Sequence, residues 1–143
     1  MSVQVAYRVS STATGGGRDG HVESEPGRIK LDLQPPVELG GSGDGANPEE
    51  LFSAGYAACF LGALRLVAKN AGVTLPDDTS VTVTAGIGKD LADNGFGLVA
   101  DIGVALPGLD QAKADELAAA AHAFCPYSKA TKGNIEHTVT ATV

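Results

Sequence analysis

Asn47-Pro48-Glu49-Glu50-Leu51-Phe52-Ser53-Ala54-Gly55-Tyr56-Ala57-Ala58-Cys59-Phe60 leads into the longest uncharged hydrophobic run of the chain, and its reading decides the fold class. Asn47 can cap a helix, Pro48 suits the first helical position because its missing N–H has no partner there, and Glu50 can bond back to the cap. The helix is expected to end near Ala71-Gly72. Its uncharged core, Leu51 to Leu64, stops at Arg65, short of the roughly 20 apolar residues that cross a bilayer. The stretch therefore reads as a core helix. It is apolar nearly all round, which predicts burial on most sides. In a chain of 143 residues, a second subunit is expected to complete that burial.

Outward from this helix the period changes to two, the mark of a strand with one buried face. Val3, Val5, Tyr7 and Val9 alternate with polar or small residues. So do Val81, Val83, Ala85 and Ile87, then Phe96 through Leu106, then Ile135, Val139, Ala141 and Val143, with Ile29, Leu31 and Leu33 weaker. Asp93-Asn94-Gly95 suits a tight primed turn, so residues 80–106 read as a hairpin. A second, alanine-rich helix is expected from about Asp110 to Phe124. It stops at Cys125, because Pro126 disfavours the α conformation in the residue before it. Strand, strand, long helix, hairpin, helix, strand is an α+β order, and no repeat or linker divides residues 1–143, which read as a single domain.

The 10 basic and 17 acidic residues leave a net charge of −7, with no basic run. That disfavours nucleic acid, whose affinity rests on clustered Lys and Arg, and an anionic membrane for the same reason. Neither a basic leader nor an apolar leader opens the sequence, so a cytoplasmic location is expected. Two cysteines 66 positions apart are then poor candidates for a structural staple. A redox pair and two unrelated core thiols both remain.

Gly15-Gly16-Gly17-Arg18-Asp19-Gly20 satisfies GxGxxG, yet the residues after it look extended, whereas dinucleotide binding needs a helix there. The glycine-rich stretch from Gly41 does open a helix, but Glu49 and Glu50 make its first turn a poor phosphate cradle. Cys125-Pro126-Tyr127-Ser128 looks like a glutaredoxin motif lacking its second cysteine. That motif works at a helix N-terminus, and Cys125 follows a helix instead. His21, His122 and His137 lack metal-ligand spacing and read as incidental, so no metal and no cofactor is expected. Cys59 is either an inert packed thiol or, given a cation from elsewhere, a reactive one. The helix dipole fades within the first turn and cannot supply that charge. Arg18, in a loop dense enough in glycine to approach another element closely, is the candidate cation, with a solvated loop arginine as the alternative.

Taken together, Gly17-Arg18-Asp19-Gly20, Leu39-Gly40-Gly41, the Asn47–Phe60 stretch, Cys125-Pro126-Tyr127-Ser128 and Gly133-Asn134-Ile135 resemble the organic hydroperoxide resistance (Ohr) proteins of the OsmC/Ohr superfamily. The resemblance spans nearly the entire chain. It implies an OsmC-like fold, antiparallel sheets around a long central helix, completed in an intertwined homodimer with sites at the subunit interface. It also implies a thiol peroxidase that reduces organic hydroperoxides to alcohols, re-reduced by dihydrolipoyl groups on lipoylated proteins. By the same resemblance Cys59 is the peroxidatic thiol, Cys125 the resolving thiol, Arg18 the stabiliser of the Cys59 thiolate and Glu49 the residue holding Arg18. On an uninterrupted helix Glu49 and Cys59 lie about 15 Å apart along the axis. Either a bend near Gly55 or a Glu49 from the partner subunit is expected to resolve this. The alternatives are the sister OsmC branch, with a different peroxide preference, and a non-catalytic carrier of apolar ligands.

Overall fold

The structure, a computed structural model, describes residues 2–143; Met1 lies outside the described residues. Among them run β1 (Ser11–Gly15), β2 (Gly20–Ser24), β3 (Lys30–Asp32), a 3-10 turn (Val37–Leu39), α1 (Pro48–Asn70), β4 (Ser80–Lys89), β5 (Phe96–Ala105), α2 (Gln111–Phe124), α3 (Pro126–Thr131) and β6 (Glu136–Thr142). The fold is α+β with two three-stranded sheets. The chain forms two compact units, one reaching to Leu51 and the other running from Phe52 to Val143.

In the first unit, β1, β2 and β3 form an antiparallel sheet in sequence order. Gly15 pairs with Gly20, so the GxGxxG stretch is a hairpin turn with Arg18 at its tip. Gly15 and Gly17 adopt positive φ, and a Cβ at Gly20 would come within 2.1 Å of the Thr14 carbonyl oxygen. The glycines are there for the turn, not for a nucleotide. The strand expected at Val3 to Val9 does not form: residues 2–10 carry no ladder and the four apolar side chains are exposed. Strand pairing begins at Ser11 instead. Alternation records which side chains share a face, but a strand also needs a neighbouring backbone.

Downstream, Leu33 bridges Ala46, and Gln34 ties the intervening loop to the hairpin by donating to Asp19 and accepting from Ser42. A Cβ on Gly41 would fall within 2.0 Å of the Pro35 carbonyl oxygen, which explains a glycine in Leu39-Gly40-Gly41. The expected capping box is present: the Glu50 N–H donates to Asn47 Oδ1 at 2.9 Å and the Asn47 N–H to Glu50 Oε2 at 3.2 Å.

In the second unit, β4 and β5 pair antiparallel over ten positions, while β6 joins β5 in parallel, so this sheet is mixed. The expected tight turn is wider. Six residues separate Lys89 from Phe96, and of Asn94 and Gly95 only Asn94 takes a positive φ. Asp90 and Asp93 side chains accept from the Ala92 and Gly95 N–H groups and hold the loop. The core joins Tyr56, Phe60, Leu64 and Ala68 of α1 with Val83, Ala100, Ile102 and Val104 of the sheet and Ala114, Leu117 and Ala121 of α2. Truncating a fully buried aromatic such as Phe60 costs about 3–5 kcal/mol.

α1 does not bury most of its circumference within this chain. Tyr56, Phe60, Ala63, Leu64 and Ala68 are buried, while Ala54, Ala58, Gly62 and Leu66, spaced by four, are exposed. α2 starts as expected, with the Asp110 side chain accepting from the Lys113 N–H. It ends at Cys125, whose N–H donates to the Ala121 carbonyl oxygen and whose own carbonyl oxygen accepts from Lys129.

Candidate active site

Two sequence-distant pairs of chemically capable side chains come together, one in each unit. In the first unit, Arg18 at the hairpin tip places Nη2 2.5 and 2.6 Å from the two Glu49 carboxylate oxygens. The carboxylate is largely buried and the guanidinium partly exposed. Charge-assisted bonds of this kind fix an arginine's position more firmly than one surface ion pair does. Both residues belong to the same chain, so this pairing needs neither a partner's Glu49 nor a broken helix. α1 is uninterrupted through Gly55.

In the second unit, Cys59 and Cys125 are free thiols with their sulfurs 3.6 Å apart. Cys125 is fully buried and Cys59 is partly exposed. Cys59 can therefore meet an incoming molecule, while Cys125 is closed off from solvent. Burial pushes the Cys59 thiol above its ordinary value, the backbone N–H of Tyr127 pulls it down, and the adjacent Cys125 pushes it up again. The upward push prevails. Buried hydrocarbon disfavours the thiolate, and the amide is the local donor that offsets part of this.

Cys125 holds the junction of two helices: it closes α2 and also precedes Pro126, the first residue of α3. The sequence showed the helix end but not the short helix after it. Around the junction is a polar cluster that the sequence did not announce. Ser128 Oγ lies 2.9 Å from Tyr56 Oη and 3.0 Å from His122 Nδ1. Thr131 Oγ1 lies 2.8 Å from His137 Nε2 and donates to the Tyr127 and Ser128 carbonyl oxygens. The His122 and His137 rings meet edge-on at 5.3 Å, and Phe52, Tyr127 and His137 surround Tyr56.

The sequence holds four Phe, three Tyr and no Trp, and the fold packs Phe52 and Tyr127 against Tyr56. The available signal was helical spacing: Tyr56 precedes Cys59 by three residues, His122 precedes Cys125 by three, and Ser128 follows it by three. His122 is not incidental in this setting. Burial, then His137, then Lys132 hold its pKa below the usual imidazole value. Among the described residues no cluster of three or more His, Cys, Asp or Glu could hold a metal.

Residues 41–140 match the family described as OsmC-like protein. The chain is 46% identical over 138 residues to the organic hydroperoxide resistance protein of Xanthomonas axonopodis pv. citri, covering 96% of this chain and 95% of that one. It is 45% identical over 121 residues to OhrB of Bacillus subtilis, covering 85% and 88%. Among solved structures, an organic hydroperoxide resistance protein from Legionella pneumophila superposes with a TM-score of 0.92 at 42% identity, over 98% of this chain and 100% of that one. One from Elizabethkingia anophelis gives 0.91 at 44%, over 98% and 99%. With sequence likeness and backbone likeness both running nearly end to end, the chain belongs to the OsmC-like family, among its organic hydroperoxide resistance proteins.

Proposed function

We propose that this protein is a thiol peroxidase that reduces organic hydroperoxides to alcohols, with Cys59 as the attacking thiol and Cys125 as the resolving one. The observation that carries this reading is the 3.6 Å separation of a partly exposed and a fully buried free thiol. The names of the relatives, organic hydroperoxide resistance proteins, suggest the substrate class. The Cys59 thiolate attacks one peroxide oxygen, the O–O bond breaks, the alkoxide leaves and takes a proton as alcohol, and Cys59 becomes a sulfenic acid. The Cys125 thiol then displaces water and closes a disulfide. Because burial works against the thiolate, the chemistry calls for a cation. The family resemblance gives that role to Arg18, and Glu49 holds the guanidinium at the hairpin tip.

The same resemblance implies a homodimer and a dihydrolipoyl-type reductant for the disulfide, and a cytoplasmic setting is part of the proposal. The exposed apolar side chains of Val3, Val5, Tyr7 and Val9, and the exposed small-residue face of α1, support the second subunit.

Titration of the native protein's thiols before and after one equivalent of cumene hydroperoxide tests the reading. Loss of two thiols per chain with release of one cumyl alcohol is expected, and two thiols surviving excess peroxide overturn it.

A further inference from the structure

The hydroxyl of Ser128 joins the three helices that carry the two sulfurs. It lies in α3, three residues after Cys125, and is almost fully buried. It bonds Tyr56 Oη at 2.9 Å, three residues before Cys59 on α1, and His122 Nδ1 at 3.0 Å, three residues before Cys125 on α2. One hydroxyl both donates and accepts, so Ser128 can serve both partners whichever imidazole tautomer is present. Thr131 is a weaker second tie, 3.4 Å from Tyr56 Oη and 2.8 Å from His137.

Resolution needs this junction in register. The sulfurs lie 3.6 Å apart and must close to about 2 Å for a disulfide. Cys125 sits at a bend between two helices that its own backbone bonds fasten to Ala121 and Lys129. Movement of α3 against α1 therefore carries Cys125 with it.

Building on the peroxidase reading above, we propose that Ser128, with Tyr56 and His122, is a positioning residue that sets how often the Cys59 sulfenic acid is captured by Cys125 rather than oxidised further. In capture, a sulfur–sulfur bond forms and the sulfenic S–O bond breaks. The oxygen leaves as water with the Cys125 proton, the Cys59 sulfur is reduced and the Cys125 sulfur is oxidised. In the competing step a second organic hydroperoxide gives up an oxygen, yielding alcohol and the Cys59 sulfinic acid. The hydroxyl network touches neither reacting atom and acts through the placement of Cys125.

The test compares wild-type protein with Ser128→Ala, Tyr56→Phe and the double variant under graded cumene hydroperoxide. Intact mass gives the ratio of sulfinic acid to disulfide, and dimedone trapping gives the sulfenic acid lifetime. We expect the rate of first oxidation of Cys59 to change less than twofold. The sulfinic-to-disulfide ratio should rise roughly five- to tenfold in each single variant, the scale of one net hydrogen bond, and the double variant should add little to either single one, as one shared network requires.

Thermal stability serves as the control, since a merely structural role would lower Tm without moving the ratio. Should Ser128→Ala not fold, Tyr56→Phe, which keeps the ring, carries the test alone. An unchanged ratio in the folded variants overturns the proposal. Wild-type protein that forms neither sulfenic acid nor disulfide overturns the peroxidase reading instead.

Discussion

Gly55 of α1 lies against the ring of Tyr127: a Cβ built on the glycine would stand 3.2 Å from the Tyr127 hydroxyl oxygen and 3.4 Å from a ring carbon. A helix-interior glycine normally costs about 1 kcal/mol relative to alanine, so its presence one turn before Cys59 needs a reason. Here it is the ring, which a larger residue would displace. The contact is with the far end of a side chain that is partly exposed, so a single methyl can be absorbed. Gly55→Ala is expected to gain up to about 1 kcal/mol in urea unfolding, as helix propensity outweighs the small shift. Gly55→Leu is expected to push Tyr127 off the helix and slow disulfide formation; an unchanged rate would show that the ring's seat is irrelevant to resolution.

The two cysteines differ in burial, and substitution separates what each contributes. On the peroxidase reading, Cys59→Ser removes the attacking sulfur at a partly exposed site and should abolish peroxide consumption with little change in Tm. Cys125→Ser places a hydroxyl where nothing is solvent-accessible, at a cost of about 1–3 kcal/mol if it finds no partner. It should consume peroxide without forming a disulfide, accumulate Cys59 sulfinic acid, and melt below the Cys59 variant. Sustained multiple turnover by Cys125→Ser would remove it from the cycle.

The local signals that the sequence carries well are those fixed by neighbouring residues. The Asn47/Glu50 box, the Pro126 stop and the β4–β5 alternation all depend on contacts within a few positions, and each appears where its pattern places it. What failed depends on distant partners. Val3 to Val9 alternate as cleanly as β4, yet no backbone among the described residues pairs with them in a ladder. The parallel register of β6 is set by the route of the chain through α2 and α3, which no local pattern encodes.

The same distinction runs through the site. Cys59 and Arg18 stand out from the residues themselves as a candidate reactive thiol and its cation, while the roles of all four residues, Cys125 and Glu49 included, rest on motif resemblance. Ser128 meets Tyr56 only when α3 packs on α1, and His137 meets His122 and Thr131 only when β6 returns beside α2 and α3. His122 and His137 are 15 positions apart, too far for a local motif and without ligand spacing, so only the fold brings their rings together.

Arg18 is testable through thiol reactivity rather than turnover. Burial raises the Cys59 pKa, and because the thiolate is the deprotonated form, each unit of increase lowers the reactive fraction at neutral pH about tenfold. If Arg18 supplies the offsetting charge, iodoacetamide labelling of Cys59 in the wild type has its midpoint near or below neutrality. In Arg18→Ala the midpoint is expected to rise beyond the ordinary thiol value of about 8.5. Glu49→Gln should move it less, because the guanidinium charge survives while its anchoring weakens. Identical midpoints in wild type and Arg18→Ala would exclude the arginine from thiolate stabilisation.

His122 links stability to pH, and the sign follows from its surroundings. Ser128 Oγ faces Nδ1, the His137 ring lies 5.3 Å away, Phe60 stacks at 6.4 Å, and Lys132 adds positive charge. None of these groups carries a negative charge to balance an imidazolium, and burial lowers the folded pKa first of all. The unfolded chain takes up this proton near pH 6.5, the folded chain only at lower pH. Stability therefore holds above about 6.5 and falls as pH drops through that value towards the folded pKa, below which no further loss comes from this residue. Thermal melts between roughly pH 7.5 and 5 should show this decline in the wild type. His122→Gln, which keeps a polar partner for Ser128 but cannot titrate, should show a shallower one. Equal slopes in the two proteins would mean that the acid sensitivity arises elsewhere, and that the half-buried ring carries its proton in the folded state at no cost.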